Sequence, residues 1–245
     1  MLRFESVCLG KRLIDVNLHI ECGQWWALLG SNGAGKSSLL TLAAALENPD
    51  AGSIKLADSL LSEVSLAQLA ARRCLVTQSY RTEFSISVQE MLSFFTQING
   101  IPALVEEHLE ISSLLDSSFD ILSGGEKQRV HLARNLMQVW PSIKNGEALV
   151  LLDEPLQQMD VRHQMHALAL IKALQQLGNT VVMSHHDINQ AMQHCSHACL
   201  IQAGKVVQAG AREQVVTLEN MQSLYGQRFK MVQDQATKMQ YIMPD

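Results

Sequence analysis

The fold of this chain is decided by Gly30-Ser31-Asn32-Gly33-Ala34-Gly35-Lys36-Ser37-Ser38, which fits the pattern G-x-x-x-x-G-K-[ST]. The stretch follows a short apolar run, Trp25-Trp26-Ala27-Leu28-Leu29, and precedes a helical pattern from about Lys36 to Leu46. Its glycines let backbone N–H groups turn inward around phosphate oxygens, and the helix adds the positive end of its dipole. The pattern therefore predicts a phosphate loop in which Lys36 reaches the β- and γ-phosphates of a nucleotide and the Ser37 hydroxyl binds Mg²⁺.

Two carboxylates, Asp153 and Glu154, follow a second apolar run, Ala148-Leu149-Val150-Leu151-Leu152. In open α/β sheets ligands bind at the carboxyl ends of the strands, so this pair is expected at a reaction site. Asp153 is predicted to hold Mg²⁺ through water, and Glu154, on the other face, to polarise the attacking water. A helix N-cap or a surface turn is the alternative interpretation of the pair.

Short apolar runs alternate with helical patterns along the chain. Thr180-Val181-Val182-Met183 is a third such run, and unbroken runs of this kind indicate a parallel sheet covered on both faces. Gly52-Ser53-Ile54-Lys55-Leu56 instead alternates with period two, which indicates an antiparallel β layer beside the parallel core. Helical spacing of apolar residues between about 79 and 135 predicts a helical insertion. We therefore expect one α/β domain over residues 1–245, with a core of 1–78 and 136–245 and a helical subdomain of about 79–135.

Composition excludes several classes of protein. The chain has 245 residues, of which 19 are Lys or Arg and 24 are Asp or Glu, so the formal net charge is −5. A nucleic-acid partner is not expected, because gripping a phosphate backbone takes an excess of basic residues. Hydrophobic residues at 47% and charged residues at 18% are typical of a globular protein. No apolar run approaches the roughly 20 residues that span a bilayer, and the first residues do not form a signal peptide, so neither a membrane span nor secretion is expected.

One further motif points to a family. Leu122-Ser123-Gly124-Gly125-Glu126-Lys127-Gln128-Arg129 places Ser-Gly-Gly at a predicted helix start, a second anion-binding site that a single active site does not need. Together with the phosphate loop, Gln78 after an apolar strand, the acidic pair, Asp160 and a His-Asp pair, this motif closely resembles the set found in ATP-binding-cassette (ABC) ATPases. The resemblance covers nearly the whole sequence. It implies a P-loop NTPase fold, ATP hydrolysis, and the binding of ATP and Mg²⁺.

In ABC ATPases two cassettes pair head to tail, so the resemblance implies that ATP lies between one phosphate loop and the partner's signature motif. Gln78 would sense Mg²⁺ and the attacking water and transmit closure to a membrane partner. Asp160, preceded by Met159 where Leu is usual, would lie in the loop that bridges the two sites. The signature residues that would meet the nucleotide of the other chain are Ser123, Gly124, Gly125 and Glu126.

For two roles in this family, the histidine that faces the γ-phosphate and the residue that contacts adenine, the sequence offers two candidates each. Ser184-His185-His186-Asp187 offers two histidines, and the family pattern sets His directly before Asp, so His186 is predicted to face the γ-phosphate. His185 would then replace a small polar residue. The family often stacks adenine on an aromatic residue before the first core strand, whereas the matching stretch here, residues 8–13, has none. Arg12 or Leu13 is the candidate contact in its place.

Within the family the chain resembles the ATPase subunits of bacterial vitamin B12 importers, in the group that also takes up iron–siderophore and haem complexes. The stretches that carry this narrower resemblance are residues 141–146, 182–189 and Tyr225-Gly226. It implies a peripheral subunit on the cytoplasmic face of the inner membrane, which couples ATP hydrolysis to vitamin B12 uptake. The implied partners are a second copy of the chain, two polytopic permease subunits and, indirectly, a periplasmic substrate-binding protein.

Three alternatives to a vitamin B12 importer stay open. Import of an iron–siderophore or haem complex is the first of them. A soluble ABC ATPase acting on ribosomes or DNA would carry two cassettes or a long coiled-coil insertion, and neither is present in the sequence. A small-molecule P-loop kinase would need an acceptor pocket and no Ser-Gly-Gly signature.

Overall fold

The computed structural model describes residues 1–77, 85–94, 96 and 98–245. These residues form two compact units, the first made of Met1–Val64 and Val182–Asp245 and the second of Ser65–Val181. Within the described residues, no helix is both long and apolar enough to cross a membrane. This division does not test the residue ranges predicted above for the core and the helical subdomain, which stay predictions.

The first unit opens with an antiparallel sheet. Its strands are β1 (Leu2–Leu9), β2 (Leu13–Ile20), β4 (Ala51–Leu56) and β5 (Ser59–Leu60), followed by a one-turn helix, Leu61–Glu63. The spatial order is β2-β1-β4-β5. Phe4 of β1 pairs with Leu18 of β2 on one side and with Ile54 of β4 on the other, and all three side chains are buried. The predicted antiparallel layer around residues 52–56 is therefore present.

A parallel strand pair forms the core of the first unit. The elements around it are β3 (Trp25–Leu29), α1 (Lys36–Ala43), β8 (Thr180–Ser184), α8 (Ile188–His194), β9 (His197–Gln202) and β10 (Lys205–Ala211). Every residue of β3 is buried, and its Leu29 pairs in parallel with Leu200 of β9, to which β10 adds antiparallel. The boundary between the two units falls inside β8. Just after β8, the N–H of His185 donates to the carbonyl of Leu28 at 3.1 Å, so the phosphate loop and the His-Asp pair follow neighbouring strands.

The C-terminal residues of the first unit end in a hairpin. Its elements are α9 (Arg212–Val215), α10 (Leu218–Tyr225), β11 (Phe229–Gln233) and β12 (Gln240–Pro244). The amide side chain of Asn189 in α8 accepts from the N–H of Ile242 at 2.8 Å and donates to its carbonyl at 3.1 Å. Because both backbone groups of Ile242 are bonded to one side chain, β12 is fixed against α8.

The second unit contains a parallel pair of its own, β6 (Arg73–Val76) and β7 (Leu149–Asp153), in which Val76 pairs with Leu152. The entry of the chain into β7 is set by Asn179, which is fully buried. Its Oδ1 accepts from the N–H of Ala148 at 3.0 Å, and its Nδ2 donates to the carbonyls of Ile143 and Leu174, both at 2.9 Å. Buried amides need such partners, so Asn179 holds the strand that ends in the acidic pair.

The other elements in the described part of the second unit are helices. They are α2 (Leu66–Arg72), α3 (Val88–Ser93), α4 (Ala103–Leu109), α5 (Gly124–Gln138), α6 (Trp140–Lys144) and α7 (Val161–Gln176), with one-turn helices at Ser112–Leu114 and Phe119–Ile121. Three of them start with a capping box, at Ser65, Ser87 and Ser123. In each box a serine hydroxyl accepts from the N–H three residues on, and a Gln or Glu there bonds back to the serine N–H.

Candidate functional site

The predicted phosphate loop joins β3 to α1, so the strand before it and the helix after it are both present. α1 begins at Lys36 and stops short of the predicted end at Leu46, since Ala45 has a φ of 52°, which does not continue a helix. The N-cap Gly35 has a φ of 114°, and a Cβ on it would lie 2.8 Å from the carbonyl oxygen of Arg12. Both the backbone conformation and the packing therefore require glycine at this position.

Lys36 carries a buried amine at this loop. Its residue is only 5% exposed, and Nζ donates to the carbonyls of Gly30 at 2.7 Å and of Ser31 at 3.2 Å. A buried positive charge at the start of a helix fits the negative charge of a polyphosphate. Ser37 is exposed in the first turn of α1, where its hydroxyl fits a Mg²⁺ ion bound to those phosphates. The other loop residues are exposed at Ser31, Asn32 and Gly33, and buried or half-buried at Gly30, Ala34, Gly35 and Ser38.

The acidic pair stands where β7 ends. Asp153 is the last residue of the strand and is buried, whereas Glu154 is half-buried and leaves the strand with a φ of 51°. This left-handed conformation turns the chain at Glu154 and gives the two carboxylates different environments. The side-chain amide of Gln157 donates to Oε2 of Glu154. A carboxylate ligand for Mg²⁺ and a carboxylate that polarises water both fit this arrangement.

The predicted signature lies at the start of α5. Ser123 is the N-cap, and its hydroxyl and N–H bond Oε2 of Glu126 at 2.6 and 2.8 Å. The hydrogen bond from the Ser123 hydroxyl, followed by that from its N–H, lowers the pKa of Glu126. Glu126 thus stabilises the helix start, and its contact with a nucleotide stays a prediction. The S-x-x-E spacing was the sequence signal for this box.

The signature glycines pack against the segment that follows the acidic pair. A Cβ on Gly125 would lie 2.9 Å from the backbone oxygen of Gln158, and one on Gly124 would lie 2.6 Å from Oε1 of the same residue. Asp160 ends this segment as the N-cap of α7 and accepts from the N–H of His163 at 2.8 Å. That backbone bond, with a second from the His163 ring, lowers the pKa of Asp160. The signature and Asp160 therefore belong to one packed part of the second unit.

The two adjacent histidines after β8 lie in different environments. His185 is 2% exposed, its Nε2 is 3.5 Å from Sγ of Cys195, and burial lowers its pKa to about 3. His186 is exposed, and Asp187 after it is the N-cap of α8. Of the two, His186 is the exposed histidine, and its contact with a γ-phosphate stays a prediction.

The base-binding candidates are held by other contacts. The guanidinium of Arg12 makes two hydrogen bonds to the carboxylate of Glu47, at 3.1 and 2.5 Å, and the Leu13 side chain is buried. Arg12 is therefore engaged by a carboxylate in this structure, and stacking on adenine would compete with that ion pair.

The sequence analysis missed two contacts, and one of its assignments falls on a residue outside the described part of the structure. The bonds from Gln157 to Glu154 and from the His163 ring to Asp160 were not anticipated. Each donor lies three residues after a motif carboxylate, the spacing at which one turn of chain brings side chains together, and that spacing was the available signal. Gln78 lies outside the described residues, so its predicted roles in catalysis and metal binding stay predictions.

The sequence profile of the ABC transporter family matches residues 13–157. The chain belongs to the ABC transporter family. It is 32% identical over 241 residues to the vitamin B12 import ATP-binding protein BtuD of Vibrio atlanticus (strain LGP32), covering 95% of this chain and 96% of that protein. It is also 32% identical over 240 residues to the hemin import ATP-binding protein HmuV of Hahella chejuensis (strain KCTC 2396), covering 95% and 94%.

A solved structure supports the fold of this ABC transporter subunit. The dimeric structure of MJ0796, a bacterial ABC transporter cassette, matches with a TM-score of 0.72 at 23% identity, covering 86% of this chain and 99% of that one. At that identity the match speaks to the fold alone. The predicted fold class, an α/β P-loop NTPase of the ABC ATPase type with parallel and antiparallel strands and a helical insertion, is confirmed.

Proposed function

We propose that this ABC protein is the ATP-hydrolysing subunit of an importer that takes up vitamin B12 across the inner membrane. The observation that carries ATP binding is the buried amine of Lys36 in a glycine-lined loop at a helix start. The support for import comes from relatives named as import ATP-binding proteins over nearly their whole length. Vitamin B12 is preferred because several of these relatives are named for it. Haem import, or import of a related iron complex, is the alternative that the equally similar hemin relative supports.

In the proposed reaction, the phosphate loop binds ATP and Glu154 polarises the water that attacks the γ-phosphate. Lys36 exchanges its bonds to loop carbonyls for bonds to phosphate oxygens, which places its charge where negative charge is transferred. Ser37 and Asp153 offer the hydroxyl and the carboxylate that would hold Mg²⁺, which neutralises charge on the phosphates when bound. His186 is assigned to the γ-phosphate from its exposure and its position before Asp187.

A second copy of the chain would complete each site. In this proposal Ser123, Gly124 and Gly125 bind the nucleotide held by the partner's phosphate loop, because they form a helix start, which suits an anion, and ABC cassettes pair head to tail. Two polytopic permease subunits and a periplasmic substrate-binding protein would supply the route and the cargo. The cassette itself would lie on the cytoplasmic face of the inner membrane as a peripheral subunit, with no nucleic-acid partner.

The test is to purify the tagged chain from solubilised membranes of its source cells and identify what accompanies it. We expect a polytopic protein to co-purify, and the complex in proteoliposomes to take up labelled cobalamin only with ATP. The same preparation with Lys36→Ala is the control. Uptake of haem or a ferric siderophore in place of cobalamin would favour the alternative cargo. A chain recovered without any polytopic protein would contradict the transporter proposal and favour a soluble ABC ATPase.

A further inference from the structure

The ring of His163 lies between two carboxylates that come from different elements. Its Nδ1 is 2.9 Å from Oδ2 of Asp160, the N-cap of α7, and its Nε2 is 3.6 Å from Oε2 of Glu110, which ends α4. The N–H of His163 donates to the other oxygen of Asp160 at 2.8 Å. The side chain of His163 is 17% exposed, so most of the ring is shielded from water. One residue thus makes two bonds to Asp160 and one contact to a helix distant in sequence.

Several charged or titratable groups face this ring from the elements packed around it. His166, also in α7, has its ring centroid 6.5 Å from that of His163. Its Nδ1 lies 3.8 Å from Oε1 of Glu110. The groups on all sides are Asp160, Arg162 and His166 of α7 and its N-cap, Glu110 at the end of α4, and Glu126 and Arg129 of α5.

Both carboxylates beside His163 are held in the charged form. Hydrogen bonds from the N–H and ring of His163 lower the pKa of Asp160. Burial by itself raises the pKa of Glu110, but the hydrogen bond from Arg162 and the positive charges around the carboxylate, with Arg162 first among them, together lower it. The ring of His163 thus lies between two negative charges, hydrogen-bonded to Asp160 at 2.9 Å and at a longer distance of 3.6 Å from Glu110.

We propose that His163 is a positioning residue that links Asp160 to Glu110 and so fixes the segment 158–160 against the signature glycines. The importance of Asp160 for ATP turnover rests on the proposed function. The link itself rests only on the contacts of His163.

Hydrogen exchange tests the link without any need for ATP hydrolysis. In the full-length chain, we expect protection of the amides of residues 157–163 to be about tenfold lower in His163→Leu than in wild type, because the contacts with both carboxylates are lost. His163→Asn keeps a donor near the position of Nδ1, so its protection should stay within about twofold of wild type. His166→Leu, one turn along the same helix and also beside Glu110, is the matched control and should behave as wild type.

Steady-state ATPase measurements then connect the link to turnover. His163→Leu should lower kcat about fivefold with KM for Mg-ATP within about twofold, and His163→Asn should restore most of kcat. Unchanged protection in His163→Leu would overturn the proposal, as would protection in His163→Asn as low as in His163→Leu. Absence of ATPase activity in the wild type with the expected exchange pattern would instead count against the proposed function and leave the link standing.

Discussion

The amine of Lys36 is hydrogen-bonded to the loop that carries it, so the proposed binding of a nucleotide at this residue would exchange one set of partners for another. The carbonyls of Gly30 and Ser31 satisfy a buried charge that would otherwise be costly to desolvate. Phosphate oxygens would take over those bonds when ATP binds. The net gain from Lys36 is therefore the difference between two sets of charge-assisted hydrogen bonds.

Lys36→Ala is expected to abolish ATP hydrolysis and to weaken nucleotide binding. Hydrogen bonds to charged groups contribute about 1.5–3 kcal/mol, so the loss in affinity should be about ten- to a hundredfold. Steady-state ATPase and titration with a fluorescent ATP analogue measure the two effects. Lys172→Ala, on the exposed side of α7, is the control and should match wild type. Hydrolysis by Lys36→Ala near the wild-type rate would refute the assignment of the phosphate loop.

At the scale of elements, the start of α5 and the segment before α7 are packed backbone against backbone. The two signature glycines differ in what they approach. Gly125 faces the main-chain oxygen of Gln158, which cannot move without shifting the segment, whereas Gly124 faces the end of a flexible side chain. Substituting each of the two glycines therefore compares the effect of a fixed backbone neighbour with that of a movable side-chain neighbour.

Gly125→Ala should therefore destabilise the protein and Gly124→Ala should be tolerated. Forcing a methyl group to 2.9 Å from a main-chain oxygen should cost about 1–3 kcal/mol, in the range of other overpacked sites. In Gly124→Ala the Gln158 side chain can rotate away, so the change should stay below about 0.5 kcal/mol. Urea unfolding of both variants provides the measurement. Equal effects would mean that the segment 158–159 does not pack as described.

Two buried histidines make the stability of these elements depend on pH. Burial lowers the pKa of His185 after β8 to about 3 and that of His131 in α5 to about 4, from an ordinary value of 6.5. Below pH 6.5 the unfolded chain binds protons that the folded chain does not, so stability present above pH 6.5 is lost as pH falls. The free energy of unfolding should fall by up to about 1.4 kcal/mol per pH unit for each group between about pH 6 and 5.

Urea unfolding across this window tests the pH dependence. His185→Asn removes one of the two titrating groups and should flatten the curve, whereas His19→Asn, at an exposed position of β2, should leave it unchanged. A curve as steep in His185→Asn as in wild type would assign the effect to other groups.

Elements with a local sequence signal could be predicted, and contacts between elements could not. The turn from β3 into α1, the end of β7 at Asp153 and the start of α5 at Ser123 each depend on a few adjacent residues, so their patterns were sufficient. The end of α1 was placed too late because Ala45 adopts a left-handed conformation that no residue type announces. The ring of His163 on Glu110 joins residues 53 positions apart, which no periodicity in the sequence encodes.

At the scale of the whole molecule, the predicted site residues divide between the two units. The phosphate loop and His186 belong to the first unit, and the acidic pair, the signature and Asp160 belong to the second. In the proposed mechanism two chains associate around two ATP molecules, and hydrolysis releases them. Blocking hydrolysis while keeping ATP binding should therefore trap the associated form.

Glu154→Gln is expected to bind Mg-ATP, fail to cleave it and form a lasting dimer. The amide keeps the size of the side chain and removes a negative charge near the γ-phosphate. Light scattering on the purified variant, with and without ATP and with and without its membrane partners, measures association. Adding Ser123→Arg should prevent the dimer, because bulk enters the helix start that would meet the partner's nucleotide. Association that is absent in Glu154→Gln, or that persists with Ser123→Arg, would argue against a composite site.

The left-handed backbone at Glu154 makes the stability of the fold and the proposed ATP hydrolysis compete at one position. A side chain in this conformation costs roughly 1–2 kcal/mol relative to glycine, which adopts it freely. Glycine at 154 would relieve that cost and remove the carboxylate that is proposed to polarise water. Selection of this chain for heat resistance alone would therefore favour the loss of Glu154. A variant that gained thermal stability in this way would be expected to lose ATP hydrolysis.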